Sequence, residues 1–176
     1  TAVTFTPVGG TVVANTLNTT NTNFTASATI TAGQATGGSA ELLKGGASFT
    51  TPITDTSIAA GDTSVTFTGG FTTNAQVQAA FASGATVSVK ITDAAGNTTT
   101  SSVSNPTITV DYIAPTAPTA VTFTPTGGTV IPNYLNSSNT GFTLSFTSPA
   151  TEYAGTARLY LNDTPLATDI TTSVSA

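Results

Sequence analysis

Asp93 and Asn97 bracket the run Asp93-Ala94-Ala95-Gly96-Asn97, and Asp111 follows a short way downstream. Side-chain oxygens of this kind, helped by backbone carbonyls, are hard donors suited to Ca²⁺, so the three residues form a candidate calcium site at a domain end. The same residues also suit a plain turn, with Asp93 bonded to its own backbone and Gly96-Asn97 supplying positive φ. Lys44 falls in register with Ala40 and Leu42 and is expected to point inward. Beside an Asn and a carboxylate it would have the ingredients of an amide cross-link formed with loss of ammonia. Otherwise its ammonium reaches back to water from a strand end. Lys90 is expected to face outward with Ser88. Asn18, Asn23, Asn97, Asn136 and Asn162 each open an Asn-x-Ser/Thr triplet, the acceptor pattern for N-glycosylation. Tyr112, Tyr134, Tyr153 and Tyr160 could stack on sugars, but their scatter makes packing at junctions and edges the expected role.

Much other chemistry is excluded. The chain has no Cys, His, Met or Trp, which removes thiolate and imidazole catalysis, disulfides and the usual zinc sites. No pair of carboxylates sits in a context suggesting glycoside hydrolysis. Three basic residues and a net charge of −5 cannot neutralise a nucleic-acid backbone. No apolar run is long enough to cross a bilayer, and Thr1 opens no signal peptide. The expectation is a protein without enzymatic activity.

The elements that would position these residues are strands. Only 6% of the 176 residues are charged, against roughly 25% in an ordinary soluble domain. Hydroxyl side chains take their place, with 43 threonines. Thr is β-branched and half polar, so it favours a strand with one wet face and disfavours helix. Phe24, Ala26, Ala28 and Ile30 alternate with Thr25, Ser27, Thr29 and Thr31, and Ala85, Val87, Val89 and Ile91 alternate with Thr86, Ser88, Lys90 and Thr92. Val3 with Phe5, Val65 with Phe67, and Ile108 with Val110 mark shorter strands. Gly-Gly pairs at 9–10, 37–38, 45–46 and 69–70 punctuate them. Val77, Ala80 and Phe81 have helical spacing, which predicts one or two helical turns within 74–82.

A repeat sets the organisation. Residues 2–24 and 120–142 are identical at 16 of 23 positions, an offset of 118. Gly38-Ser39-Ala40-Glu41-Leu42 then answers Gly155-Thr156-Ala157-Arg158-Leu159 at an offset of 117, which pairs Lys44 with Leu161. A unit of this size fits one β-sandwich. Residues 1–111 read as a complete copy, 112–118 as a Pro-rich connector, and 119–176 as an incomplete second copy. Its inward residues Val121, Phe123, Phe142, Leu144, Phe146, Leu159 and Leu161 then await strands from further along a longer polypeptide or from a neighbouring chain.

The run from Val87 to Thr98, with its Asp-x-Ala-Gly-Asn turn, and the junction Val110-Asp111 followed by Ala114-Pro115 resemble the bacterial immunoglobulin-like tandem repeats of giant surface adhesins and surface-layer proteins. The resemblance covers the first copy and the visible part of the second. It implies an all-β fold of tandem immunoglobulin-like sandwiches and an extracellular, cell-surface location. It also implies a spacer role, or that of a self-assembling filament or lattice subunit. A third expectation is a carbohydrate-binding accessory module. The partners implied are neighbouring repeats, copies of the chain itself, or surface glycans. Many such repeats bind calcium at domain junctions, but six Asp and two Glu are few for dense loading.

Overall fold

The computed structural model describes residues 2–102, 104–147, 155–165 and 171–174. They are nearly all strand and turn, with one short helix. The chain divides into two compact units, Thr1–Ile113 and Ala114–Ala176, so the boundary falls inside the Pro-rich connector.

In the first unit the strands are β1 (Val3–Val8), β2 (Thr16–Asn18), β3 (Asn23–Thr29), β4 (Ser39–Lys44), β5 (Ala47–Asp55), β6 (Ser64–Thr68), β7 (Val87–Thr92), β8 (Thr98–Thr100) and β9 (Thr109–Asp111), with helix α1 (Asn74–Ala80) between β6 and β7. One sheet has the order β1-β3-β6 and a second the order β5-β4-β7-β8, while β2 and β9 form a separate parallel pair. The inward residues of both sheets share one core: Val3, Phe5, Phe24, Ala26, Val65 and Phe67 from the first sheet, and Ala40, Leu42, Phe49, Val87 and Val89 from the second. The alternation legible at 24–30 and in β1 and β6 is what builds this core, because a pleated strand sends every second side chain to one face.

Helix α1 starts where Thr73 and Gln76 form a reciprocal capping box, satisfying two backbone N–H groups that helical bonding leaves free. Its Val77 and the following Phe81 are buried in the same core. Burying these two residues is what holds a seven-residue helix that would be unstable alone.

One residue departs from the expected faces. Ser88 is buried, not exposed, and lies opposite Leu43, which is buried with it. The outer face of β4 and β7 is therefore closed at this point as well as the inner one. Lys90 does face outward, forming an ion pair with its cross-strand partner Glu41. That bond, with a second from the Ser48 hydroxyl, holds the Glu41 carboxyl below its ordinary range.

The second unit repeats the first half of this plan. Its strands are β10 (Thr119–Thr126), β11 (Gly141–Thr147), β12 (Gly155–Arg158), β13 (Tyr160–Leu161), β14 (Thr164–Pro165) and β15 (Thr171–Val174). In β10·β11, Phe123 faces Leu144 and Pro125 faces Phe142, as Phe5 faces Ala26 and Pro7 faces Phe24 in β1·β3. The hairpin β4·β5 reappears as two short ladders. Ala157 faces Thr172 as Ala40 faces Asp55, and Leu161 faces Thr164 as Lys44 faces Ala47. The turn residues Gly45 and Gly46, both at positive φ, are answered by Asn162 and Asp163, also at positive φ. Tight hairpins need that geometry, because it matches the twist of the flanking strands. The offset slips from 118 to 117 as the sequence indicates.

Candidate functional site

Asp93 closes the turn after β7. Its carboxylate accepts hydrogen bonds from the backbone N–H of Ala95 at 2.9 Å, the backbone N–H of Asn97 at 2.8 Å and the Asn97 side-chain amide at 2.9 Å. The Asn97 side chain is the chief cause of an Asp93 pKa below the ordinary value of 3.8, with the backbone donors adding to it. Gly96 takes φ +90°, which lets the chain double back within this span. Beside the turn lies a shallow cavity of about 410 Å³ that Asp93, Asn97, Ile30 and Gln34 help to line.

Asp111 lies elsewhere. It pairs with Asn18 in the parallel β2·β9 ladder, and its Oδ1 accepts from the Ile113 N–H at 3.3 Å. Asn18 is bonded to Asn21, just before β3 begins. Asp93 abuts Gly38 and shares its cavity with Ile30, just after β3 ends. Seven residues of strand, on the order of 20 Å at about 3.3 Å per residue, separate the two ends. The three expected ligands are therefore not brought together. Asp93 and Asn97 spend their side chains on each other, and Asp111 is held beside Asn18 in the β2·β9 pair. EDTA is expected to leave the melting temperature unchanged, whereas Asp93→Ala should lower it with or without EDTA. A melt that falls on adding EDTA and recovers with Ca²⁺ would overturn this reading.

Lys44 points inward as expected. Its ammonium donates to the Ala80 carbonyl at the end of α1 and sits 5.9 Å from the Phe49 ring centre and 5.7 Å from that of Phe81. A helix C-terminus and two ring faces are both favourable for a cation, so the group is satisfied without a covalent bond. It stands at the wall of a groove of about 680 Å³ between β5 and the Gly69–Phe71 turn. Phe49 and Phe71, which also line the groove, belong to the core and its margin.

Among the tyrosines, Tyr112 packs against the core of the first unit, and burial raises its pKa. Tyr134 and Tyr160 are exposed, contrary to the expected packing role, and Arg158 lies 5.8 Å from the Tyr160 ring. Tyr153 lies outside the described residues. Of the glycosylation triplets, Asn162 sits on an exposed hairpin tip. Asn97 donates to Asp93, Asn23 is half buried with its Oδ1 accepting from the Phe24 N–H, and Asn18 and Asn136 have structural tasks.

Those tasks belong to a polar turn that sequence reasoning missed. Asn18 Nδ2 donates to the Thr11 carbonyl at 2.8 Å, and its Oδ1 accepts from the Thr20 N–H at 2.9 Å. The buried Asn21 accepts from the Asn18 N–H at 2.8 Å and donates to the carbonyls of Gly9 at 2.7 Å and Thr11 at 3.1 Å. Asn136, Ser138 and Asn139 repeat these bonds on Gly127 and Thr129, with distances from 2.7 to 3.0 Å. The available signal was that both asparagines survive in both copies while the neighbouring Thr becomes Ser.

Among the described residues no group of three or more acidic side chains gathers to hold a metal, and no described helix is long and apolar enough to cross a membrane. No protein-family model matches the chain, and no curated protein or solved structure matches it either.

Proposed function

We propose that the chain is part of an extracellular surface protein built from tandem immunoglobulin-like sandwiches, and that its units act as stiff spacers without catalysis. The duplication carries this reading. Two units in series share the register of Thr4–Val8 and Thr122–Thr126, one polar turn and one hairpin geometry, yet neither repeats the other's ionisable residues. Glu41 is answered by Arg158 and Lys44 by Leu161. A scaffold copied while its charged groups are left free to change fits selection for length, because the copied part is the part that folds. The Thr-covered strands and the resemblance to surface adhesin repeats support the same reading.

Pulling single molecules between their termini tests it. The first unit should give way in one discrete step, releasing roughly 370–400 Å of extended chain less its folded length, at about 3.3–3.6 Å per residue. Smooth extension without a step would sink the spacer reading. Specific glycan affinity would move the chain to the carbohydrate-binding class, and turnover of a substrate would make it an enzyme. The rival reading, a filament or lattice subunit completed by neighbouring strands, is favoured by one observation: the apolar residues that the second unit leaves exposed.

A further inference from the structure

Equivalent positions in the two units differ sharply in exposure. Leu17 is 0% exposed and Leu135 54%, Val3 6% and Val121 61%, Phe24 0% and Phe142 37%. At Phe142 the backbone is not the cause, since from Thr122 to Thr126 β10·β11 keeps the register of β1·β3; at Val121 a register shift interrupts the ladder. The ring pair is also conserved: Phe5 and Phe24 stack at 4.7 Å and 27°, Phe123 and Phe142 at 5.1 Å and 28°. What differs is the cover. In the first unit β9 lies parallel on β2 with Val110 facing Leu17, β6 lies antiparallel on β3, and Phe71 and Phe81 close over Phe24. All of these come from residues 60–113, and the 176 residues hold that half only once.

We infer that the second unit is an acceptor for a polypeptide segment of the second-half pattern, supplied from outside residues 1–176. An Ile-Thr-Val-Asp run like that of β9 would lie parallel along Tyr134–Asn136, and a strand like β6 would lie antiparallel along β11. The first unit is the template, because it shows what covers this same sequence. Exchange between copies of the chain cannot meet the need. Each copy brings two acceptors and one donor half, so every donor lent would open the unit it left. The seat also sets a preference. Ala26 and Ala28, which face Phe67 and Val65, are replaced by Leu144 and Phe146. A cover that conserves core volume therefore carries smaller inward residues than β6 does.

This inference rests on the tandem-sandwich reading, and thiol labelling separates the two. The chain lacks cysteine, so Leu135→Cys and, as a control in the first unit, Val89→Cys each report one site. In the chain alone, Leu135→Cys should react like a free thiol, and Val89→Cys at least about 100-fold more slowly, as expected when labelling needs local opening. Appending a second copy of residues 60–113 after Ala176, with Phe67→Val in the added copy, should slow Leu135→Cys by a similar factor. The added copy with Phe67 retained should protect it less. Should the extended chain not fold, a synthetic peptide of residues 105–112 added to the unaltered chain should slow Leu135→Cys in a dose-dependent way. Unchanged labelling of Leu135→Cys with Val89→Cys protected overturns the acceptor. Protection of Leu135→Cys in the unextended chain at dimer mass overturns it in favour of a second copy. Rapid labelling of Val89→Cys overturns the tandem-sandwich reading itself.

Discussion

Phe24→Ala should cost the first unit about 3–5 kcal/mol, while Phe142→Ala, at the equivalent place in the second unit, should cost no more than about 2 kcal/mol. Phe24 has no exposed surface and meets four rings: Phe5 at 4.7 Å, Phe81 at 5.5 Å, Phe71 at 5.7 Å and Phe49 at 6.2 Å. These come from β1, β5 and the segments flanking α1, so the truncation opens a cavity that no single element can collapse to fill. Phe142 has its stack on Phe123 and is already partly in water, so less transfer energy is at stake. A loss of this size is a large share of the 5–15 kcal/mol typical of a domain, and it should appear as loss of amide protection across both sheets of the first unit. Gly69 sharpens the test. A Cβ there would lie 2.7 Å from the Phe24 ring and 2.8 Å from that of Phe71. Gly69→Ala alone should therefore cost about 1–3 kcal/mol by overpacking, and less in the Phe24→Ala background, where the Phe71 ring gains room to move aside while the Asn23 Oδ1, 2.7 Å from the new Cβ, still crowds it. Additive costs would show that the two do not share this space.

Phe24 was legible in the sequence because period-two alternation and the repeat both mark it. The repeat was the stronger guide. It anticipated the offset of 118 in the first hairpin, the slip to 117 in the second, and the pairing of Lys44 with Leu161, all of which the ladders reproduce. Helix α1 was legible from the spacing of Val77, Ala80 and Phe81. Ser88 was not, because alternation reports which face a residue takes and not whether that face is covered. The spacing of Asp93 and Asp111 misled for a related reason. Nearness along the chain says nothing about β9 lying parallel on β2, and that pairing carries Asp111 to the far end of β3. Lys44 was read correctly as inward, but its partners, a carbonyl at the end of α1 and two rings, come from elements the sequence leaves unconnected to it. Long-range polar contacts have no period, and periodicity is the main signal that a single sequence offers.

The polar turn leads to the second large expected effect. Asn21→Ala should cost the first unit about 2–4 kcal/mol, because three hydrogen bonds of about 0.5–1.5 kcal/mol each are lost and their partners are left short of bonds in a buried place. Asn21 is fully buried, and its amide bridges the carbonyls of Gly9 and Thr11 to the N–H of Asn18. That bridge ties the end of β1 to the end of β2, which sets Leu17 where β9 covers it. Losing it should therefore release β9 as well as the turn, seen as faster amide exchange at Val110 and Asp111. Asn139→Ala removes the same bonds in the second unit, but Asn139 is only partly buried and water can replace them, so its cost should be about 1 kcal/mol. Asn21→Asp gives the sharper result. It keeps the shape and replaces a donor with an oxygen facing two carbonyl oxygens, so at neutral pH it should destabilise more than alanine does. Burial beside these oxygens raises the folded-state pKa of the new carboxyl above its unfolded value of about 3.9. The stability of this variant should accordingly recover as the pH falls through that raised pKa, where the protonated group can again donate one bond. An Asn21→Asp variant as stable as the parent at neutral pH would show that the Asn21 amide does not hold the turn.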